Sequence, residues 1–340
     1  PRSRCLLAFM KTGVLIVNIG TPESPSEKDV GIYLKKFLMD EDVIAIPFVF
    51  RWILVNLIIV PFRAVRSAAK YAKIWTPEGS PLKTNTEKFV QALAKELPSD
   101  YTVKMGMAFS EPSILTSLTQ FKHEGIDKLI VCPMFPQYAD ATTGSVIKAV
   151  RKFSGILKLS AEIKFIKPFY NQDFYLDNVL EKMKNIEPKH WIFSYHGLPE
   201  KQITKNSECQ LSEACCLSQK ACTVQCYRSH CVQTTEAIAK KLNLNKSQYT
   251  MTFQSRLGVK RWLQPYTDDV LRSLPSRHIK SIAVVSPAFV ADCLETLEEI
   301  NLESRHAFNE SGGESFEYIE CLNSDQEWVK GFAKYLVQTV

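Results

Sequence analysis

Short apolar runs at residues 13–20, 101–107, 128–132, 162–166, 189–195, 248–253, 280–285 and 316–319 alternate with stretches of helical periodicity, and this alternation restricts the fold more than any other feature. Gly13-Val14-Leu15-Ile16-Val17-Asn18-Ile19-Gly20 reads as a buried strand running into a turn at Thr21-Pro22. A helix through Tyr33, Leu34 and Phe37 follows it. Further helices are expected over 63–75, over 85–97, from Pro112, after Thr142-Thr143-Gly144-Ser145, and over 325–339. Strand and helix in regular succession predict parallel sheets covered on both faces, an α/β fold. The 340 residues suffice for two packed domains, and 45% hydrophobic with 23% charged content excludes disorder. Element counting puts one domain at 12–150 and the second at 151–322, with the terminal helix, 323–340, packing back on the first.

The sheets lack the usual nucleotide cradles. Thirteen glycines supply neither GxGxxG nor GxxxxGK[ST], so no nucleotide cofactor is expected. HExxH and GxSxG are missing too, and Cys132 stands in no protease signature. The net charge of +6 is spread along the chain, which fits an anionic ligand or surface without calling for nucleic acid. Pro1-Arg2-Ser3-Arg4-Cys5 shows no cleavable signal pattern, and a cytoplasmic protein is expected.

One segment, 43–62, is apolar enough to raise the question of a membrane. Pro47, Arg51, Asn56 and Pro61 interrupt it, and a span needs about 20 mostly apolar residues. It therefore reads as a surface-seeking or pocket-lining segment, with an ordinary buried helix as the alternative.

Chemistry concentrates in two strings that each follow a strand, Ser194-Tyr195-His196-Gly197-Leu198-Pro199 and Asp292-Cys293-Leu294-Glu295-Thr296-Leu297-Glu298-Glu299. If both strands belong to parallel sheets, the histidine and the glutamates face a crevice at the strands' carboxyl ends. A neutral imidazole, with an ordinary pKa of about 6.5, accepts a proton or binds a divalent metal. A core histidine satisfied by hydrogen bonds is the simpler reading of His196 alone. Asp292 and Glu295 also fit the N-cap and third position of a capping box. That leaves Glu295 and Glu299 four residues apart on one helix face, a mutually repelling pair unless a positive group relieves it. A solvated acidic face would explain them equally well.

Taken in order, Leu15-Ile16-Val17-Asn18-Ile19-Gly20-Thr21-Pro22, Gly79-Ser80-Pro81-Leu82, Pro136-Gln137-Tyr138 with Thr142-Thr143-Gly144-Ser145, the His196 string, Thr252-Phe253-Gln254-Ser255-Arg256 and the Glu295 string resemble the ferrochelatase family. The resemblance spans about residues 13–300. It implies two Rossmann-like, chelatase-type domains with a porphyrin cleft between them. The implied reaction is insertion of Fe2+ into protoporphyrin IX to give protohaem with release of two protons, the last step of haem synthesis. His196 then matches the active-site histidine, as proton acceptor or iron contact, with Glu295 across the cleft and Glu299 one turn along as a proton or iron track. Asn18, Gly20, Thr21, Pro22, Tyr138, Ser255 and Arg256 would line the porphyrin site. The apolar segment becomes a lip, in which Trp52 and Leu54 contact porphyrin and Arg63 meets a propionate or an anionic headgroup. Peripheral attachment to the inner membrane follows. A homodimer is compatible with the sequence. A chelatase for cobalt or nickel, or for coproporphyrin, would use the same groups, whereas a non-enzymatic iron-sulfur or metal-carrier protein would leave the His196 and Glu295 strings unexplained.

Six of the ten cysteines lie between residues 209 and 231. In a reducing compartment metal ligation is favoured over disulfides, but the spacing is not that of a zinc ribbon. Some members of the family carry a 2Fe-2S cluster, in part of the bacterial set on an insertion after the active-site histidine. The resemblance thus assigns an insertion at about 205–231 with Cys209, Cys216, Cys226 and Cys231 as cluster ligands. Cys215 or Cys222 is the alternate, zinc the competing ligand.

Overall fold

The computed structural model describes residues 10–204, 209–218, 224–256 and 261–339. Two four-stranded sheets, both wholly parallel, organise them. The first holds β1 (Thr12–Asn18), β2 (Tyr101–Met107), β3 (Lys128–Pro133) and β4 (Glu162–Phe165) in the order β2-β1-β3-β4. The second holds β5 (His190–His196), β6 (Tyr249–Gln254), β7 (Ser281–Val285) and β8 (Ser315–Tyr318) in the order β6-β5-β7-β8. Each expected strand is present, and the two sheets share one topology.

The physical reason is visible in β1, every residue of which is buried. Strands covered on both faces carry continuous apolar runs rather than alternation. Val14 and Ile16 face one core with Phe89 and Trp328, while Leu15 and Val17 face another with Leu118 and Phe121. Between the strands run α1 (Glu27–Leu38), α2 (Phe48–Ile53), α3 (Val60–Ile74), α4 (Pro81–Glu96), α5 (Ile114–Glu124), α6 (Ser145–Leu157) and α7 (Asp173–Met183). The later ones are α8 (Glu200–Ile203), α9 (Glu213–Leu217), α10 (Tyr227–Lys241), α11 (Thr267–Ser273), α12 (Arg305–Glu310) and α13 (Gln326–Thr339). Local chemistry sets their limits. In α5, Ser113 Oγ accepts from Thr116 N at 3.2 Å to start the helix, and Gly125 ends it in the left-handed region at φ 62°.

The terminal helix α13 lies between α4 and α7. Trp328, fully buried, stacks on Phe174 at 5.8 Å, and Phe332 meets Phe89 edge to face at 5.5 Å. Such pairs contribute about 0.5–1.5 kcal/mol each beyond the area they bury.

The apolar segment departs from expectation. It is continuous helix from Phe48 to Ile74, 27 residues that by length and composition suffice to cross a membrane. A proline inside an α-helix lacks the N–H for the bond four residues back and crowds that carbonyl. Here a π turn over Leu54–Ile59 precedes Pro61, and Val60 N–H reaches back five residues to Val55 O. The wider turn absorbs the proline instead of ending the helix. Arg51 does not break it either: its side chain turns inward, and Nη1 donates to Ile44 O and Ile46 O, both at 3.0 Å. One face of this long helix, with Val55, Ala68 and Tyr71, packs on Val30, Tyr33 and Leu34 of α1. The opposite face presents Phe48, Phe50, Trp52, Leu57, Ile58 and Phe62 to solvent, Phe62 at 74% exposure.

Candidate active site

In a doubly wound sheet the crevice opens at the carboxyl ends of the strands on either side of the point where the winding reverses. That point lies between β1 and β3 in one sheet and between β5 and β7 in the other. The strings singled out in the sequence leave from these ends: Asn18–Pro22 from β1, Tyr138 after β3, His196 from β5, and the Glu295 segment after β7. Ser255 and Arg256 follow β6.

His196 ends β5, half-buried, with its ring 6.5 Å from that of Phe289. Its Nδ1 lies 2.7 Å from the carbonyl of Gly197. A carbonyl only accepts, so Nδ1 carries the proton and Nε2 is the acceptor atom of the neutral ring. The Tyr227 hydroxyl donates to the His196 carbonyl at 2.8 Å.

Glu295 opens a π-helix over Glu295–Ser304, where an ordinary helix was expected. Its backbone carbonyl accepts from Gln254 Nε2 at 2.9 Å, while Gln254 Oε1 accepts from Ser194 Oγ at 2.8 Å. Gln254 is paired with His196 in the β5–β6 ladder. One glutamine thereby ties the histidine strand to the first turn of the glutamate helix. The capping box does not form: Asp292 accepts instead from Thr296 Oγ1 at 3.0 Å, from Asn323 Nδ2 at 2.7 Å and from the Tyr318 hydroxyl. The wide π turn sets Glu299 nearly above Glu295 and turns Glu298 away. Glu298, with no exposed side-chain surface, is held by Lys73 at 2.8 Å and Lys70 at 3.1 Å, both on α3. The solvated acidic face is thus excluded for Glu298. Buried charge survives in this way only when paired.

Two residues that the sequence reading passed over, Tyr33 and Tyr71, share the Glu295 neighbourhood. Burial pushes both hydroxyls well above the ordinary phenol range, and the Glu295 carboxylate adds to the shift. Nothing in their sequence pattern separates them from core aromatics, which they also are. Glu299 takes a hydrogen bond from Ser255 Oγ at 2.5 Å. Burial pushes its carboxyl up to about 7 against the lowering effect of Ser255, and Glu295 raises it further. Ser255 itself sits in the left-handed region at φ 62°, a costly conformation for serine that recurs at functional sites.

The first-domain strings are fastened within the chain. Asn18 Oδ1 accepts from Ile19 N at 2.9 Å, and its Nδ2 donates to Thr86 Oγ1 at 3.3 Å. Thr21 and Ser80 hydroxyls lie 2.6 Å apart, so the Gly79–Leu82 string braces the β1 turn. Gly20 has φ +112°, and a Cβ there would meet Ser110 Oγ at 2.8 Å and Ser110 N at 3.1 Å. The close approach this glycine permits is to the neighbouring turn of the chain itself. Pro22 is buried beside it. Ile19 and Leu82 pack with Phe289, Ala291 and Cys293, which brings the first sheet's turn against the segment leading to Glu295. Tyr138 is half-buried, its hydroxyl 3.1 Å from Asp140 Oδ1; burial and that carboxylate push it up to about 12. Arg256, exposed, stacks over Tyr266 at 4.5 Å. Trp52 and Arg63 are exposed and Leu54 half-buried on the long helix, with Arg63 close enough to Tyr33 to stabilise its anion.

The cysteines form a separate locus. Cys209, Cys215, Cys216 and Cys226 line a cavity of about 200 Å³ with Tyr138 and Tyr227. Cys231 is fully buried and is not among its lining residues. Cys222 lies outside the described residues. Burial pushes the Cys216 thiol up to about 11, opposed by the Arg228 guanidinium, whose Nη1 is 2.8 Å from Cys216 Sγ. Among the described residues, no three His, Cys, Asp or Glu side chains are spaced to hold a metal ion.

Two four-stranded parallel sheets of one topology give an α/β fold also found in chelatases. The SirB chelatase of Bacillus subtilis solved with Fe3+ superposes on 97% of this chain and 96% of its own at TM-score 0.56, with 11% identity. Sequence relations are closer. The chain is 44% identical to the ferrochelatase of Bdellovibrio bacteriovorus over 95% of its length and 98% of the relative's. It is 42% identical to that of Coxiella burnetii over 95% and 92%, and 40% identical to that of Legionella pneumophila over 94% and 97%. The sequence model of the family Ferrochelatase matches residues 11–340, and the chain belongs to that family. It is an enzyme that inserts Fe2+ into protoporphyrin to form protohaem.

Glu299 gives a stability test. Its carboxyl is raised from an ordinary 4.5 to about 7. Between those values only the folded chain holds the proton, so stability falls as pH rises through that window and the full burial cost applies above it. The isosteric, neutral Glu299→Gln chain is expected to melt above wild type at pH 8, by about 1.4 °C for each kcal/mol in a chain of this length. The difference should vanish by pH 4. Thermal unfolding by circular dichroism checks it.

Proposed function

We propose that His196 accepts a proton from a pyrrole nitrogen as Fe2+ enters the ring, and that Glu295 and Glu299 form the polar track opposite. The carrying observation is the 2.7 Å contact of His196 Nδ1 with the Gly197 carbonyl. With Nδ1–H committed to Gly197 O, Nε2 is available as the proton acceptor or as a transient iron contact. Glu295 supplies oxygen ligation of the weak kind a donor site needs. Glu299, half-protonated near neutrality by virtue of its burial, is suited to pass protons onward. Gln254 keeps the two sides in register. Tyr138, Asn18, Gly20, Thr21, Pro22, Ser255 and Arg256 shape the porphyrin site around them. We divide the chain into catalytic halves at about residue 150.

The expected result is loss of porphyrin fluorescence with rising haem absorbance when the protein is incubated anaerobically with protoporphyrin IX and Fe2+. Co2+ and Ni2+ in parallel read metal preference. Loss of a positioned acid–base group typically lowers rate by about 10²-fold or more, and His196→Ala and Glu295→Gln are each expected to do so. Undiminished insertion by Glu295→Gln would remove it from the track.

The exposed face of the long helix supports a second function for that element, as a lip over the cleft that also seats in a membrane surface. Only 17% of its most apolar window is buried, and Arg63 and Arg66 stand exposed just beyond its exposed apolar residues, placed for propionates or anionic headgroups. We place the enzyme in the cytoplasm, attached peripherally to the inner membrane. In sedimentation with vesicles containing anionic lipid, the protein is expected to pellet with the vesicles at low salt and to be released in part at high salt. Indifference to such vesicles would count against the lip's membrane role.

We also propose a 2Fe-2S cluster at the cysteine cavity. Cys209, Cys216 and Cys226 line it, and Cys231 or the alternates Cys215 and Cys222 would complete four thiolates. The Arg228 cation beside Cys216 favours its thiolate. The thiols would have to draw in from their present spacing. When bound, such a cluster supplies a cross-link across the segment and a one-electron centre. Visible charge-transfer bands in the protein as purified are expected; their absence together with one zinc per chain would overturn the assignment.

A further inference from the structure

The first turn of α10 is a run of four residues that holds the catalytic strings on one side and the cysteine segment on the other. Tyr227 Oη donates to the carbonyl of His196 at 2.8 Å. Arg228 Nη1 reaches Cys216 Sγ at 2.8 Å. Ser229 Oγ donates to the carbonyl of Cys216 at 2.5 Å. His230 Nδ1 lies 3.1 Å from Tyr138 N, and its Nε2 3.1 Å from the carbonyl of Val224.

The histidine's bonding is determined by its partners. A backbone N–H only donates and a carbonyl only accepts, so Nδ1 takes the Tyr138 proton and Nε2–H goes to Val224 O. The ring is fully buried and stacked on Tyr170 at 3.8 Å, with 10° between planes. It therefore has one orientation in which both bonds form. Tyr227 is nearly as constrained, 7% exposed, with its hydroxyl also in reach of the Cys231 thiol. A rotation or slide of this turn cannot displace Cys216 and leave His196 and Tyr138 where they are, because consecutive residues of one helix hold all three.

We propose that Tyr227 and His230 are positioning residues, through which the packing of Cys216 in its cavity sets the placement of His196 and Tyr138 in the cleft. The coupling runs through a contiguous chain of hydrogen bonds, Cys216 to Arg228 and Ser229, then along one helical turn to Tyr227 and His230. Any chemical state of Cys216 that moves its sulfur is felt at both catalytic strings. The inference rests on the reading of His196 as the proton acceptor.

The test uses the full-length protein and reads hydrogen exchange by mass spectrometry alongside steady-state kinetics. In Cys216→Ser, exchange at the Tyr138 amide, followed in a peptide covering 136–142, is expected to rise at least about 5-fold, as for loss of one hydrogen bond. A peptide covering 12–18 in β1 should be unchanged. Tyr227→Phe is expected to lower kcat about 5-fold with KM for protoporphyrin held within twofold. The combined Cys216→Ser/Tyr227→Phe chain should lose less than the product of the single losses, since both act on one linkage. Arg228→Gln, which keeps every thiol, serves in place of Cys216→Ser should that chain not fold. Unchanged exchange at Tyr138 in a variant whose kcat falls, or multiplicative losses in the double variant, would overturn the inference. Activity retained by His196→Ala would instead overturn the reading beneath it.

Discussion

A carboxylate with no access to water, Glu298, fixes how the two halves of the molecule meet. Removed from solvent and unpaired it would be prohibitively costly, so the fold must deliver cations to it. They come from Lys70 and Lys73, one helical turn apart on α3. The consequence is geometric. Once Glu298 points at α3, the wide turn of the π-helix aims Glu299 at the Ser255 hydroxyl and leaves Glu295 near Tyr33 and Tyr71. The same contact ties the exposed apolar helix, which is continuous with α3, to the element that carries the acidic pair. The placement of the exposed apolar helix against the glutamate element thus includes one buried ion pair.

How legible this was in the sequence follows from how local each cause is. The strands were readable because a parallel strand buried on both faces, such as Thr12–Asn18, is an uninterrupted apolar run whatever its neighbours. The long helix was misread because Pro61 is a breaker by local rule. The π turn that accommodates it is a property of the whole packed helix, not of the residues beside the proline. The second π segment escaped for the same reason: Glu295–Ser304 has an ordinary helical composition, and its winding is selected by what Glu298, Gln254 and Ser255 bind across the structure.

The site strings divide along the same line. His196 and Glu295 were visible as types of residue at the ends of strands, and the family resemblance told them from a core histidine and a capping box. The partners that give them chemical character were not visible. Gln254, inside a recognised string, bridges them; Ser255 earned notice by position, but its positive φ and its bond to Glu299 are tertiary facts. Gly20 shows the converse. Its place in the string reads as room for a ligand, yet the missing Cβ makes room for Ser110. In the cysteine segment, sequence named a ligand set, and the structure places Cys209, Cys216 and Cys226 around one cavity, with Cys231 buried outside its lining but within electrostatic reach of Cys216 and Cys226.

Metal insertion is a charge-neutral exchange: Fe2+ enters the ring and two protons leave it. In a buried site that neutrality matters, because a net change of even one charge there costs several kcal/mol. On the proposed division of labour the protein matches the exchange step by step. On that proposal His196 takes one proton through Nε2 as the metal enters. Glu299, its carboxyl poised near neutrality by burial and by Glu295, can take or release the other without a fixed charge being imposed on the interior. A pair of ordinary carboxylates with pKa near 4 would instead hold two negative charges there between turnovers. On that proposal, the raised carboxyl of Glu299 is what would let an acidic pair sit inside the protein and still exchange protons at neutral pH.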